Sequence, residues 1–396
     1  MSFDIDAAGV VAFTQELVRI ESVNDPARGL SEAPAAAAVV AKMSSFGWDP
    51  VVEEVAPGRP NVICRVEGGL PGKTLMFEGH TDVVTAGDRG AWTRDPFSGD
   101  IESGRLHGRG SADMKSGLAA VIYATRAVEL AGQFPGAIVI GALCDEEEMM
   151  IGVKHFVEQG HCDHIDAAIS AEPEGGEICA VSKGAIRVRI DAVGRMAHGA
   201  MPFKGANPVA ALGVVAARLG ELQSVLQQEF GEYEHLGHVW LTPTMINGGS
   251  IEQLNVIPAE AVMTVDIRTT PAVDHRDLLD RVSAVLGDVV GESGVELTLT
   301  VIDDRPSTDT PTSSPVCVAL AAAHTSVTGE SPVYGGVPGS TDGTILWRDG
   351  GLDSVVYGPG DKWIAHQVDE YVELDEIVTY TQVFAKAAVN FLTAEE

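Results

Sequence analysis

Short apolar runs that end abruptly in polar residues alternate along the chain with amphipathic stretches, a pattern that reads as α/β. Residues 8 to 22 and 33 to 46 carry helical periodicity, and Asn61 to Val66 reads as a strand. Leu75-Met76-Phe77 has the character of a buried strand and gives way to Glu78-Gly79-His80-Thr81-Asp82. Ala137 to Leu143 is another such run, ending at Asp145-Glu146-Glu147-Glu148. Asp166 to Ser170 leads to Glu172-Pro173, and Ser354 to Tyr357 leads through a glycine turn to His366. Ligands of open α/β sheets bind beyond the carboxyl ends of the strands, so these four exits are expected to converge on one site. A fifth acid, Asp113, follows Gly108-Arg109-Gly110 and precedes a helical pattern from Lys115 to about Leu130. A helix start favours an acid on its own account.

From about Ser182 to Asp303 the texture changes. The pattern gives a strand (Arg187 to Val193), a helix (Asn207 to about Gln227), two strands (Val239 to Ile246, Ala261 to Ile267), a helix (Asp274 to Val290) and a strand (Val295 to Val301). Two helices and four strands make a complete two-layer α+β unit, and the Pro-rich stretch from Arg305 to Pro315 reads as the link out of it. At 396 residues the chain is long for one core. The predicted division is a discontinuous domain of residues 1–181 and 304–396, with 182–303 inserted.

Charge narrows the range of partners. With 57 acidic against 26 basic residues and a formal net charge of -31, the surface repels polyanions, which argues against nucleic acid and anionic membrane. The five scattered cysteines form no C-x-x-C pair, which argues against a disulfide framework and a thiolate zinc site. The first residues lack a signal-peptide pattern, and no apolar run is read as reaching membrane-spanning length, so a cytoplasmic protein is expected.

His80, Asp113, Glu147, Glu172 and His366 together offer two imidazoles and three carboxylates. Zinc accepts such N and O donors, and manganese or cobalt suits them as well. One carboxylate bridging two ions, with a histidine and a further carboxylate for each, would hold a pair about 3.5–4 Å apart that polarises a carbonyl and generates hydroxide. Asp82, two residues beyond His80, is placed to accept the second ring N–H. Glu146 and Glu147 are neighbours whose side chains diverge, so one can hold metal while the other serves as general base. Singly, each feature has a bland reading, such as a solvated helix start for Asp145-Glu146-Glu147. Their joint placement at strand exits is what favours a metal-dependent hydrolase.

Gly79-His80-Thr81-Asp82, the segment from Gly108 to Gly117, Asp145-Glu146-Glu147, and Gly358-Pro359-Gly360 with His366 resemble the M20 metallopeptidase family, in order across nearly the whole chain. That family includes acetylornithine deacetylase, succinyl-diaminopimelate desuccinylase, aminoacylase and carboxypeptidase G-type enzymes. The resemblance implies a zinc-peptidase-like catalytic domain with a central mixed sheet flanked by helices, and a ferredoxin-like inserted lid that forms a homodimer. It implies a di-zinc site with Asp113 bridging, His80 and Glu172 on one ion, and Glu147 and His366 on the other. It further implies Glu146 as general acid/base, Asp82 behind His80, and a cis peptide between Asp113 and Met114. His198, in Gly194 to Gly199, matches the histidine that reaches the partner subunit's site to steady the oxyanion. Asn255, Arg268, Gly339 and Ser340 match positions near the substrate carboxylate, although a structural pair with Asp266 is the bland reading of Arg268. Ser116 replaces a frequent glycine, and Gly339-Ser340-Thr341 departs from the Gly-Gly-Thr-Ser of desuccinylases, which bears on acyl specificity.

The expected activity is hydrolysis of an N-acyl amino acid or a similar small carboxylate-bearing amide. The competing readings are a dipeptidase or carboxypeptidase, a hydrolase of an aryl-amine or ureido substrate, and a non-catalytic binding protein. The last would predict a missing base or ligand, yet every matched position is occupied.

Overall fold

Strands buried on both faces read as continuous apolar runs, because helices cover each side of the sheet they build. The structure, a computed structural model, describes residues 3–394 and contains such a sheet. Seven of its nine strands are β1 (Val51–Ala56), β2 (Arg59–Glu67), β3 (Gly69–His80), β4 (Phe134–Leu143), β5 (Ala167–Ser170), β6 (Glu177–Ser182) and β7 (Asp353–Val356). They lie in the order β1-β2-β4-β3-β5-β7-β6. The four central strands β4, β3, β5 and β7 are mutually parallel, while β1, β2 and β6 join antiparallel, so the sheet is mixed.

The two-residue period sorts the side chains of β3 between two cores. Leu75 and Phe77 pack with helices Ala7–Val18, Ser116–Leu130, Pro315–Thr328 and Leu374–Thr393. Met76 packs on the other face with Val153, Phe156, Ile345 and Leu346 from Ile151–Glu158 and Asp342–Arg348. Helix Ser116–Leu130 starts very close to the end of β5. A Cβ on Gly117 would lie 1.9 Å from the Ala171 carbonyl oxygen, so only glycine permits that approach.

The first helix stops at Val18, short of the expected residue 22. The carbonyls beyond it are taken elsewhere: Lys115 Nζ donates to Ile20 O at 2.7 Å, and Val83 N–H to Ser22 O at 3.3 Å. Strand β1, mostly half-buried or exposed, and the two long C-terminal helices are additions to the expected elements.

Contacts group residues 1–181, 310–337 and 341–396 into one unit, and 182–309 with 338–340 into a second. The second unit therefore takes residues 304–309 and Pro338–Ser340, which the sequence reading gave to the first. The reason for part of this is that strand Glu296–Arg305 stays paired to Gly184–Val193 as far as Arg305 opposite Ala185.

The second unit is a two-layer α+β arrangement. Its antiparallel sheet runs Trp240–Gly248, Glu260–Thr269, Gly184–Val193, Glu296–Arg305. Ile186, Val188, Ile190 and Ala192 alternate into a core with helices Pro208–Phe230 and His275–Ser293, while Arg187, Arg189 and Asp191 face the other way. Asn207 and Asp274 cap these helices, accepting from Val209 and Ala210 N–H and from Asp277 N–H. Pro208–Phe230 is long and apolar enough to cross a membrane by length and composition, which the sequence reading did not register. Its Leu212, Val215, Leu219 and Leu226 stripe is buried in the unit's core.

Candidate metal centre and active site

β3 ends at His80, whose side chain is fully buried. The sequence placed the Asp82 carboxylate on its second ring nitrogen. His80 Nδ1 lies 3.0 Å from the Asp82 backbone carbonyl and 3.5 Å from the Asp82 carboxylate, so both face that nitrogen. That carboxylate also accepts from Glu146 N–H at 3.3 Å through Oδ1 and from Glu147 N–H at 3.1 Å through Oδ2. Asp82 thus ties the exit of β3 to the exit of β4. Against the cost of burial, His80 and then the Glu147 N–H hold its carboxyl below the usual range.

Asp113 lies in the irregular turn Ser111–Lys115 with extended backbone (φ -111°, ψ 100°), so it does not cap the helix that follows. The Asp113–Met114 peptide is cis. The Asp113 carboxylate divides its oxygens: Oδ1 is 3.1 Å from His80 Nε2 and Oδ2 is 3.2 Å from His366 Nε2. Glu172 stands 3.7 Å from His80 Nε2, and Glu147 2.9 Å from His366 Nε2. Two donor groups result, His80–Asp113–Glu172 and Asp113–Glu147–His366, sharing Asp113; within each, the donor atoms lie within 4.8 Å of one another. His366 sits in the left-handed region (φ 63°), uncommon for a side chain other than glycine and typical of a functionally constrained residue.

The electrostatics suit bound cations. Bonds to Asp113 and Glu147 push His366 up to about 11. Burial opposes the protonated form of His80, yet Glu172, Asp113 and Asp82 still raise it well above its ordinary value. Burial, then the charge of Asp113, raises both Glu147 and Glu172. With neutral imidazoles the three carboxylates leave an uncompensated triple negative charge, and two divalent ions on N and O donors fit that set. Glu146 is buried and near enough for its charge to raise Glu172.

Sequence reasoning missed the pair that braces this arrangement. Glu370 is fully buried, and its Oε1 accepts from Ala112 N–H at 2.9 Å and Asp113 N–H at 3.1 Å. Its Oε2 pairs with Arg109, which also donates to the His366 carbonyl at 3.2 Å. The only local signals were an arginine between two glycines and an acid four residues after His366. Breaking a buried pair strands its partner's charge, so Glu370→Ala should lower stability by about 3–5 kcal/mol. Denaturant unfolding checks this, and a loss below about 1 kcal/mol, the range of a surface pair, would contradict it.

A third group, Glu174, Glu177 and Cys179, has metal-ligand chemistry, but Lys362 Nζ already bridges its carboxylates at 2.8 and 2.7 Å. In the second unit, His198 and Asn255 lie side by side, with His198 paired to Val256 and the two side chains 3.4 Å apart. Arg268 donates to both oxygens of Asp266, at 2.7 and 3.2 Å, so the structural pair exists. Gly339 and Ser340 fall in the Pro338–Ser340 segment grouped with this unit.

Residues 76–390 match peptidase family M20/M25/M40. The chain is 28% identical over 359 residues to a probable succinyl-diaminopimelate desuccinylase of Staphylococcus aureus, covering 84% of this chain and 86% of the relative. It is also 28% identical over 386 residues to the N-formyl-4-amino-5-aminomethyl-2-methylpyrimidine deformylase of Bacillus subtilis, covering 89% and 88%. Among solved structures, a dinuclear metal binding peptidase of the M20 family from Bacillus subtilis superposes with a TM-score of 0.71 at 15% identity over 98% of both chains. With a family match over most of its length, and relatives that cleave amides, this chain belongs to peptidase family M20/M25/M40 and is a metal-dependent hydrolase acting on amide bonds.

Proposed function

We propose that the chain hydrolyses the amide bond of an N-acyl amino acid, or a similar small amide bearing a free carboxylate. Zinc is the leading metal, with cobalt and manganese suited to the same donors. The observation that carries the reading is the division of the Asp113 oxygens between His80 and His366. In this reading Asp113 would be shared by two ions, with His80 and Glu172 able to hold one and Glu147 and His366 the other. When bound, the ions supply Lewis acidity toward the scissile carbonyl and a more acidic water. Glu146 takes the proton of the attacking water and hands it to the leaving amine. Asp82 fixes the direction of the Glu146–Glu147 turn through its two bonds to backbone N–H.

His198 Nδ1 accepts from Ala200 N–H at 3.1 Å, which in a neutral ring puts the hydrogen on Nε2 and asks the Asn255 side-chain amide, 3.4 Å away, to present its oxygen there. That hydrogen is the donor for the developing oxyanion in the partner subunit of a homodimer. Supporting association, Trp240–Gly248 is an edge strand exposing Trp240, Met245 and Ile246, and nearby segments expose Met196, Phe203, Ile251 and Leu254. Asn255 and Arg268, with Gly339 and Ser340, would take the substrate carboxylate. Five buried, unbridged cysteines suit a reducing cytoplasm.

The test is an assay of metal-replete protein on N-acetyl, N-succinyl and N-carbamoyl amino acids and on dipeptides. Cleavage of one N-acyl class is expected, and inertness across the panel would contradict the reading. A requirement for a free α-amino group would mark a dipeptidase instead. His198→Ala should lower kcat by about 10²–10³-fold, the cost of losing one oxyanion donor, with Tm unchanged because the residue is exposed. Hybrids of His198→Ala and Glu146→Gln subunits should regain activity; confirmed hybrids that stay inactive would count against the cross-subunit role.

A further inference from the structure

On the sheet face that carries Met76 lies a set of buried oxygens for which the two-metal reading has no use. Glu78, on β3, is fully buried, and so is Asp342, which opens the short helix Asp342–Arg348. Neither oxygen of the Asp342 carboxylate has a hydrogen-bond partner among the described residues, and Glu78 has the Ser170 hydroxyl beside it. The buried hydroxyls of Thr341 and Ser354 are also without partners, and that of the buried Ser170 meets only Glu78. These hydroxyls converge on one point. A Cβ built on Gly343 would lie 2.8 Å from Ser354 Oγ, 3.0 Å from Ser170 Oγ and 3.2 Å from Thr341 Oγ1. Glu78 and Ser170 are directly opposed on the paired strands β3 and β5. Burial, and then the charge of Glu78, raises Asp342 well above its ordinary value.

Native interiors pair nearly all their buried polar groups, so this many bare acceptors in one place call for a ligand. The donors are two carboxylates and three hydroxyls, with no imidazole and no thiolate among them. Hard cations of the calcium or magnesium class take all-oxygen shells, and a double positive charge balances two carboxylates. We infer that Glu78, Ser170, Thr341, Asp342 and Ser354 form a third cation site, which takes one hard divalent ion. The site also gives a reason for Gly343, since a side chain there would press on the three hydroxyls. An ion held behind β3 and β5 would offset negative charge close to the strand ends that deliver His80 and Glu172. The inference goes beyond the two-metal reading and rests on it only for counting the ions apart.

The test loads metal-free protein with zinc, removes the excess, dialyses it against calcium or magnesium, and measures all three elements per chain together with Tm. One equivalent of calcium or magnesium in addition to two of zinc, with a raised Tm, is expected. Asp342→Asn and Gly343→Ala should weaken that extra ion by about ten-fold or more while keeping zinc. Gly343→Ala leaves both carboxylates in place, so it gives the answer if Asp342→Asn fails to fold. Wild-type protein that takes up neither ion, or variants that bind it as wild type does, would overturn the inference in favour of an acid pair neutralised by protons. Binding of a monovalent ion alone would overturn the divalent assignment. Zinc below two equivalents with the extra ion still bound would instead count against the catalytic reading alone.

Discussion

Glu146→Gln is expected to lower kcat by about 10²–10⁴-fold, the contribution of a positioned general acid/base, with two metals still bound. Glutamine keeps the shape of the side chain and one acceptor oxygen but cannot accept and return a proton. The metals should stay because the assigned donors are other residues. Glu146 and Glu147 follow one another on a turn held by Asp82, and it is Glu147 that meets His366. Steady-state kinetics beside elemental analysis decides the matter. Unchanged turnover, or loss of both metals, would remove Glu146 from its assigned role.

Asp113→Ala should have the largest effect, abolishing measurable turnover and reducing metal binding at both positions together. The reason is geometric, since one carboxylate belongs to both donor groups and its two oxygens face different histidines. By contrast, His366→Ala removes a donor from only one group and should spare the other ion. Titration of zinc into each metal-free variant distinguishes these outcomes. An Asp113→Ala protein that binds two ions as tightly as wild type would contradict the bridging assignment.

The site was legible because buried strands announce their ends. An apolar run in β3 or β4 must stop where the chain leaves the sheet, and the polar residues that follow are the ones the topology gathers. The inserted unit was legible through its change of periodicity, and its helices and strands lie close to the expected ranges. Strand β1 escaped notice because half-exposed residues leave no apolar run. The Arg109–Glu370 pair joins residues 261 positions apart, and no local pattern encodes such a contact. The same is true of the Asp82 bonds to the Glu146 and Glu147 N–H groups. Glu78 was a missed signal of a different kind. A charge inside a fully buried strand is costly, so it asks for a partner even before the fold is known.

The central claim is a two-ion centre built on Asp113, and the most direct measurement is zinc titration into metal-free wild-type protein by calorimetry, checked by elemental analysis. The account predicts two ions per chain, with hydrolytic activity appearing as they bind. Protein that takes up no zinc in the titration, or full activity in protein stripped of metal, would contradict it.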